Sequence, residues 1–91
     1  MRPRSLRLPA DAQTAIRSMH PDLKRRVRAA LDELCKDPHR GKPLVRELAG
    51  WWSLRVGPLR VIYRPTRSSV DVGVIGPRTT IYLDAARRLR K

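Results

Sequence analysis

The chain has 91 residues, with 21 Lys or Arg against 8 Asp or Glu and a net charge of +13 at neutral pH. That length supports one small core and one domain over residues 1–91, and a hydrophobic content of 41% is enough to fold it despite the charge. A lone Cys35 excludes an internal disulfide, no apolar run approaches the ~20 residues of a membrane span, and the N-terminus lacks the apolar region of a secretory signal, so the sequence points to a cytoplasmic protein in a reducing compartment.

The basic excess implies a polyanionic partner such as nucleic acid, the ribosome or an anionic membrane surface. Lys24, Lys36, Lys42 and Lys91 are the only lysines; arginine favours forked recognition of phosphate, although GC-rich coding also enriches it.

In chain order, Arg4 to Leu8 alternates and predicts a short strand ended by Pro9. Ala12, Ala15, Ile16 and Met19 form one stripe of a helix from Ala10 to Met19. His20-Pro21-Asp22 restarts the chain, since proline suits a helix's first turn. Leu23, Val27, Ala30, Leu31 and Leu34 then mark an amphipathic helix from about Pro21 to Lys36, and the two helices make a hairpin. Asp37 to Pro43 reads as a basic, turn-rich loop, and Leu44 to Ala49 as loop.

Gly50 to Tyr63 predicts a β-hairpin turning at Gly57-Pro58. A two-residue turn sets Val56 against Leu59, Arg55 against Arg60, Leu54 against Val61, Ser53 against Ile62 and Trp52 against Tyr63. Facing partners share a side of the sheet. One face therefore carries Trp52, Leu54, Val56, Leu59, Val61 and Tyr63 as core. The other carries Trp51, Ser53, Arg55, Arg60, Ile62 and Arg64. Val70 to Ile75 is a third strand, with Val70, Val72 and Val74 inward and Asp71, Gly73 and Ile75 outward. Gly76-Pro77 breaks it, and Thr79 to Lys91 reads as a helix or a short strand leading into one. The expected fold is α+β: an N-terminal strand, a helical hairpin, a three-stranded antiparallel meander and a C-terminal helix. The helical hairpin packs on one face of the twisted sheet, and the other face is open and basic.

On that open face two arginines stand directly opposite each other. Like charges at facing positions are destabilising, so an anion is expected there. Arg55, Arg60 and Arg64 on the sheet, with Arg78 just beyond the third strand and Tyr82 four residues on, make a candidate phosphodiester receptor. Any one of these arginines alone reads better as a solvated surface charge. His20, Cys35 and His39 match no zinc spacing, Gly41-Lys42-Pro43 is not a phosphate-binding P-loop, and no serine has a His–Asp arrangement. No metal or cofactor is expected. Asp84 reads as an ordinary surface acid, Trp52 as core, and Trp51 as packing against a loop or the terminal helix.

Four motifs carry a resemblance: Asp37-Pro38-His39-Arg40-Gly41-Lys42-Pro43-Leu44, Leu48-Ala49-Gly50-Trp51-Trp52-Ser53-Leu54-Arg55-Val56-Gly57, Leu59-Arg60-Val61-Ile62-Tyr63-Arg64, and Val74-Ile75-Gly76-Pro77-Arg78 followed by Tyr82. In this order and spacing, over nearly the whole chain, they resemble the RelE side of the RelE/ParE superfamily of bacterial toxin–antitoxin toxins. The resemblance implies a metal-independent endoribonuclease that cuts messenger RNA in the ribosomal decoding site by attack of the 2′-hydroxyl on the adjacent phosphate. Carried over, Arg60 and Arg78 match the arginines that stabilise the scissile phosphate. Arg55 matches a basic strand position facing the substrate, and Tyr82 a tyrosine of base stacking or proton abstraction. Lys42 and Arg64 are flanking RNA-binding positions. The resemblance also implies a cognate antitoxin, acidic and RelB-like. Ser53 stands where some active relatives carry lysine, Pro77 where relatives commonly place His or Lys, and Leu59 in place of a usual aromatic, which leaves strong anion stabilisation and no obvious general acid. The alternatives are a ParE-like toxin that inhibits gyrase and a basic RNA- or ribosome-binding protein of the same fold.

Overall fold

Proline sets the starts of the first two helices in the computed structural model, which describes residues 3–89. Pro9 precedes α1 (Ala10–Arg17) in an extended conformation, and Pro21 opens α2 (Pro21–Lys36). The His20 imidazole accepts a hydrogen bond from the Asp22 backbone N–H at 3.3 Å, so this histidine serves as a helix cap. α1 stops two residues before the Met19 that its apolar spacing suggested, where the Ser18 hydroxyl donates to Thr14 O at 3.0 Å.

Five strands form one sheet: β1 (Ser5–Arg7), β2 (Lys42–Pro43), β3 (Trp52–Val56), β4 (Leu59–Pro65) and β5 (Ser69–Pro77), in the spatial order β1-β5-β4-β3-β2. A 3-10 turn (Arg46–Leu48) separates β2 from β3, and α3 (Ile81–Leu89) closes the chain. β1 pairs parallel to β5 and the other pairings are antiparallel. β2 and the 3-10 turn replace the expected loop. Each is only two or three residues long, too short to carry a period.

The β3–β4 hairpin has the register expected from its turn, Arg55 opposite Arg60 included. Gly57 sits at the first central position with φ +59°. The fixed negative φ of Pro58 excludes a turn with positive φ at both central residues, which leaves the type with glycine first.

Both faces of this sheet are covered. On one, Val56, Val61, Tyr63, Val70, Val72 and Ile75 meet Ala12, Ile16, Val27, Leu31 and Leu34 of the helical hairpin. On the other, Ile62 and Val74 meet Leu48 of the 3-10 turn and Ile81 and Ala85 of α3, with Leu44, Trp51 and Leu89 around them. This corrects the expectation of an open second face: α3 lies across its middle. Burying large apolar side chains such as Ile62 and Ile81 is worth roughly 1.5–3 kcal/mol each, enough to hold a nine-residue helix on the sheet.

A β-bulge causes a second correction. Ile62 pairs with Val74 and Tyr63 with Val72, leaving Gly73 as the extra residue of β5. Beyond it the strand's alternation is reversed. Val74 therefore points to α3 and Ile75 to the helical hairpin, opposite to the strict two-residue period. Among the described residues no helix is long and apolar enough to cross a membrane.

Candidate functional site

Residues paired in register share a face, so the rows Lys42–Ser53–Ile62 and Arg55–Arg60–Gly76 project on the α3 side of the sheet. α3 covers Ile62 and leaves the end of the sheet near the Gly57-Pro58 turn uncovered. Gly76 opposite Arg60 permits this packing: a Cβ there would come within 3.2 Å of Ile81 Cδ1, at the start of α3. α3 thus begins beside Arg60, and its second residue is Tyr82.

Three side chains from three elements meet there. Arg60 Nη1 of β4 donates to Ser53 Oγ of β3 at 3.1 Å, and Ser53 Oγ lies 3.1 Å from the Tyr82 hydroxyl of α3. The Arg60 guanidinium carbon stands 5.9 Å from the centre of the Tyr82 ring, within range of a cation–π contact. Ser53 is 1% exposed and Tyr82 40% exposed, so a buried hydroxyl supports two groups that reach solvent. Arg55 Nε donates to Gly57 O at 3.2 Å at the tip of the hairpin. Arg78 follows β5, and its backbone N–H donates to Pro58 O at 3.2 Å, which puts it beside the same turn.

Lys42 is brought to this face by the basic loop. The buried Tyr63 hydroxyl donates to Pro38 O at 2.7 Å and accepts from the Gly41 N–H at 3.2 Å. A Cβ on Gly41 would come within 2.5 Å of Ser53 O and 2.8 Å of the Tyr63 hydroxyl, so only glycine lets the loop close on β3. Lys42 follows directly and pairs with Ser53.

Arg64 lies elsewhere. It is beyond the part of the sheet that α3 covers, 3.9 Å from Asp71 and with its guanidinium carbon 4.8 Å from the centre of the Trp51 ring. Trp51 itself packs against the core of Leu48, Ile62, Val74, Ile81 and Ala85. Asp71 also pairs with Arg7, Asp22 with Arg25, Glu33 with Arg40, and Asp11 with Arg88. Among the described residues no carboxylate comes within ion-pair distance of Lys42, Arg55, Arg60 or Arg78. Four of the eight acids are spent on other arginines, and the face around Arg60 keeps its positive charge. Sequence reasoning treated Ser53 only as a missing lysine. Its signal was a small hydroxyl between Trp52 and Leu54, one same-face step from Arg55.

Histidine, cysteine and acids do not converge: among the described residues no group of three or more could hold a metal ion. His39 sets its ring edge-on to Trp52 at 5.0 Å, and Cys35 is buried.

A family model described as the ParE toxin of the type II toxin–antitoxin system parDE matches residues 9–82. The chain belongs to the RelE/ParE superfamily of type II toxins. Among solved structures, the toxin resembles a chain of the toxin–antitoxin complex RelBE2 from Mycobacterium tuberculosis, with 33% identity and a TM-score of 0.74 over 86% of this chain and 94% of that one. An arginine-to-alanine mutant of E. coli RelE in the free state superposes with a TM-score of 0.73 at 19% identity, covering 96% of the toxin and 98% of that chain. The archaeal RelE–RelB complex from Pyrococcus horikoshii OT3 gives 0.69 at 19% identity, over 82% and 94%. These last two likenesses show the fold alone. No curated protein matches the chain significantly.

Proposed function

We propose that this toxin is a metal-independent endoribonuclease that cuts messenger RNA on the ribosome. The observation that carries the reading is the set of cations without a carboxylate partner at one end of the sheet, Lys42, Arg55, Arg60 and Arg78, with Tyr82 beside Arg60 and Ser53. In the reaction the 2′-oxygen attacks phosphorus while the bond to the 5′-oxygen breaks, leaving a 2′,3′-cyclic phosphate. The 2′ proton must leave, the 5′-oxygen must gain one, and negative charge on the non-bridging oxygens rises in the transition state. Arg60 and Arg78 answer the charge with fixed donors, which is the largest single term in many such reactions. Arg55 and Lys42 hold the flanking phosphates and so align the attacking oxygen. The arginines supply charge and move no proton; the Tyr82 hydroxyl acts as a relay, accepting the 2′ proton on its oxygen as its own hydrogen passes to water, and water protonates the leaving oxygen. The ribosome supplies the RNA geometry, which places the action in the cytoplasm.

The partner that restrains the toxin is an acidic antitoxin of RelB type. Two supports are the net charge of +13 and the solved toxin–antitoxin complex at 33% identity. One observation favours a second reading, inhibition of gyrase: the family model that matches is described as a ParE toxin. Inducible expression in bacteria separates the two. The nuclease reading predicts growth arrest with new messenger RNA ends inside translated frames, and no such ends on expressing Arg60→Ala. Induction of the SOS response with intact messenger RNA would instead establish the gyrase reading.

A further inference from the structure

Ser53 has no reason of packing to be a serine. It lies in a strand between Trp52 and Leu54, is 1% exposed, and its backbone is engaged on both sides by β2 and β4. A buried hydroxyl is unfavourable unless it is hydrogen-bonded, and an alanine would fill the same space without that demand. The hydroxyl's two partners are the two groups that the proposed reaction needs most. Guanidinium has donors and no acceptor, so Arg60 must donate to Ser53 Oγ. The serine keeps one hydrogen and one lone pair, and the Tyr82 oxygen 3.1 Å away takes up that capacity. Arg60 and Tyr82 come from different elements, β4 and α3, and both side chains reach the solvent boundary. The one hydroxyl that binds both is rooted in the rigid centre of the hairpin.

We infer that Ser53 is a positioning residue: from beneath the surface its hydroxyl fixes the Arg60 guanidinium and the Tyr82 hydroxyl at one spacing, so that both address the same phosphodiester. This role rests on the nuclease reading for its kinetic consequence, and on geometry alone for its structural one. In an exposed pair without this anchor, a displacement of about 1 Å costs on the order of 100-fold in rate.

The experiment has a kinetic arm and a structural arm. In the first, cleavage of a defined messenger RNA on ribosomes is measured for the parent, Ser53→Ala, Ser53→Thr, Tyr82→Phe and the double variant Ser53→Ala/Tyr82→Phe. Ser53→Ala lowers kcat by roughly 10- to 100-fold with KM within about twofold. Ser53→Thr, which keeps the hydroxyl on a strand-compatible residue, restores kcat to within about fivefold of the parent. The double variant loses less than the product of the two single losses, because both changes break one linked unit. Losses that multiply in the double variant, or a Ser53→Ala with parental kcat, would overturn the inference. The structural arm follows the side-chain N–H signals of Arg60 by NMR in protein labelled with nitrogen-15 at arginine. Resolved, slowly exchanging Arg60 signals in the parent and their averaging in Ser53→Ala support the anchor; identical signals in the two proteins refute it. If the parent does not cut RNA, the proposed function has failed, and the NMR comparison still decides whether Ser53 positions Arg60.

Discussion

Tyr63 shows how a residue outside the site determines what the site contains. It is fully buried, and its hydroxyl joins Pro38 O to the Gly41 N–H. The basic loop is thereby fastened to β4, and Lys42 arrives beside Ser53. Removing this hydroxyl strands a buried carbonyl and an N–H, so Tyr63→Phe is expected to lower unfolding free energy by about 1–3 kcal/mol in urea titrations. Burial pushes the Tyr63 hydroxyl above the usual tyrosine value, the Asp37 charge adds to this, and the Gly41 N–H opposes it. The folded protein therefore holds this proton more tightly than the unfolded chain. That share of stability is whole below about pH 10 and is lost as pH rises through the folded value. The alkaline loss of stability, compared between about pH 8 and about pH 11, should be smaller in Tyr63→Phe than in the parent. At this scale the sequence was legible where neighbours decide the outcome. The facing of Arg55 and Arg60 follows from a two-residue turn and alternation. The contact of Ser53 with Tyr82 spans 29 positions and depends on where α3 lands, which no local pattern states.

Among the elements, α3 and the bulge in β5 are what local periodicity misplaced. A two-residue period assumes that one face of each strand meets solvent. Here Val61, Ile62 and Tyr63 are all fully buried in sequence, and the neighbours Val74 and Ile75 are both buried. Such uninterrupted apolar runs mark strands covered on both sides, and they were the available sign that something packs over the second face. Gly73 is the extra residue that reverses the alternation, and it also lets α3 close. A Cβ there would lie 2.7 Å from both Leu89 Cδ1 and Trp51 Cζ3. Gly73→Ala is expected to lift the C-terminal end of α3 and to cost about 1–3 kcal/mol of stability, as overpacking does. Urea denaturation gives the cost, and the fluorescence of Trp51 reports the displaced contact; unchanged stability would show that the two side chains yield freely. The helical hairpin was legible apart from the early end of α1, because its apolar stripes at three- and four-residue spacing and its two prolines are local signals. The 3-10 turn and β2 were not, being shorter than any period.

Across the whole molecule, charge is distributed unevenly. Five of the eight acids are Asp11, Asp22, Glu33, Asp71 and Asp84, and the first four pair with arginines away from Arg60. Under the proposed function, the excess of +13 draws polyanions generally, while the local cluster decides where a phosphate settles. Binding of single-stranded RNA to the purified toxin should weaken with salt, with a log–log slope of about −0.7 per phosphate engaged. Arg55→Ala should flatten that slope by about 0.7 without loss of fold, whereas Arg25→Ala, whose guanidinium is paired with Asp22, should leave it nearly unchanged. The same field suits an acidic antitoxin, which would compete with RNA for this face and slow cleavage in proportion to its occupancy. The most direct test of the account uses purified toxin, a defined messenger RNA and translating ribosomes, with product ends identified chemically. It predicts cleavage that requires the ribosome, leaves a 2′,3′-cyclic phosphate, and falls by about 100-fold or more in Arg60→Ala. A parent that leaves the RNA intact, or an Arg60→Ala that cuts as fast as the parent, would contradict it.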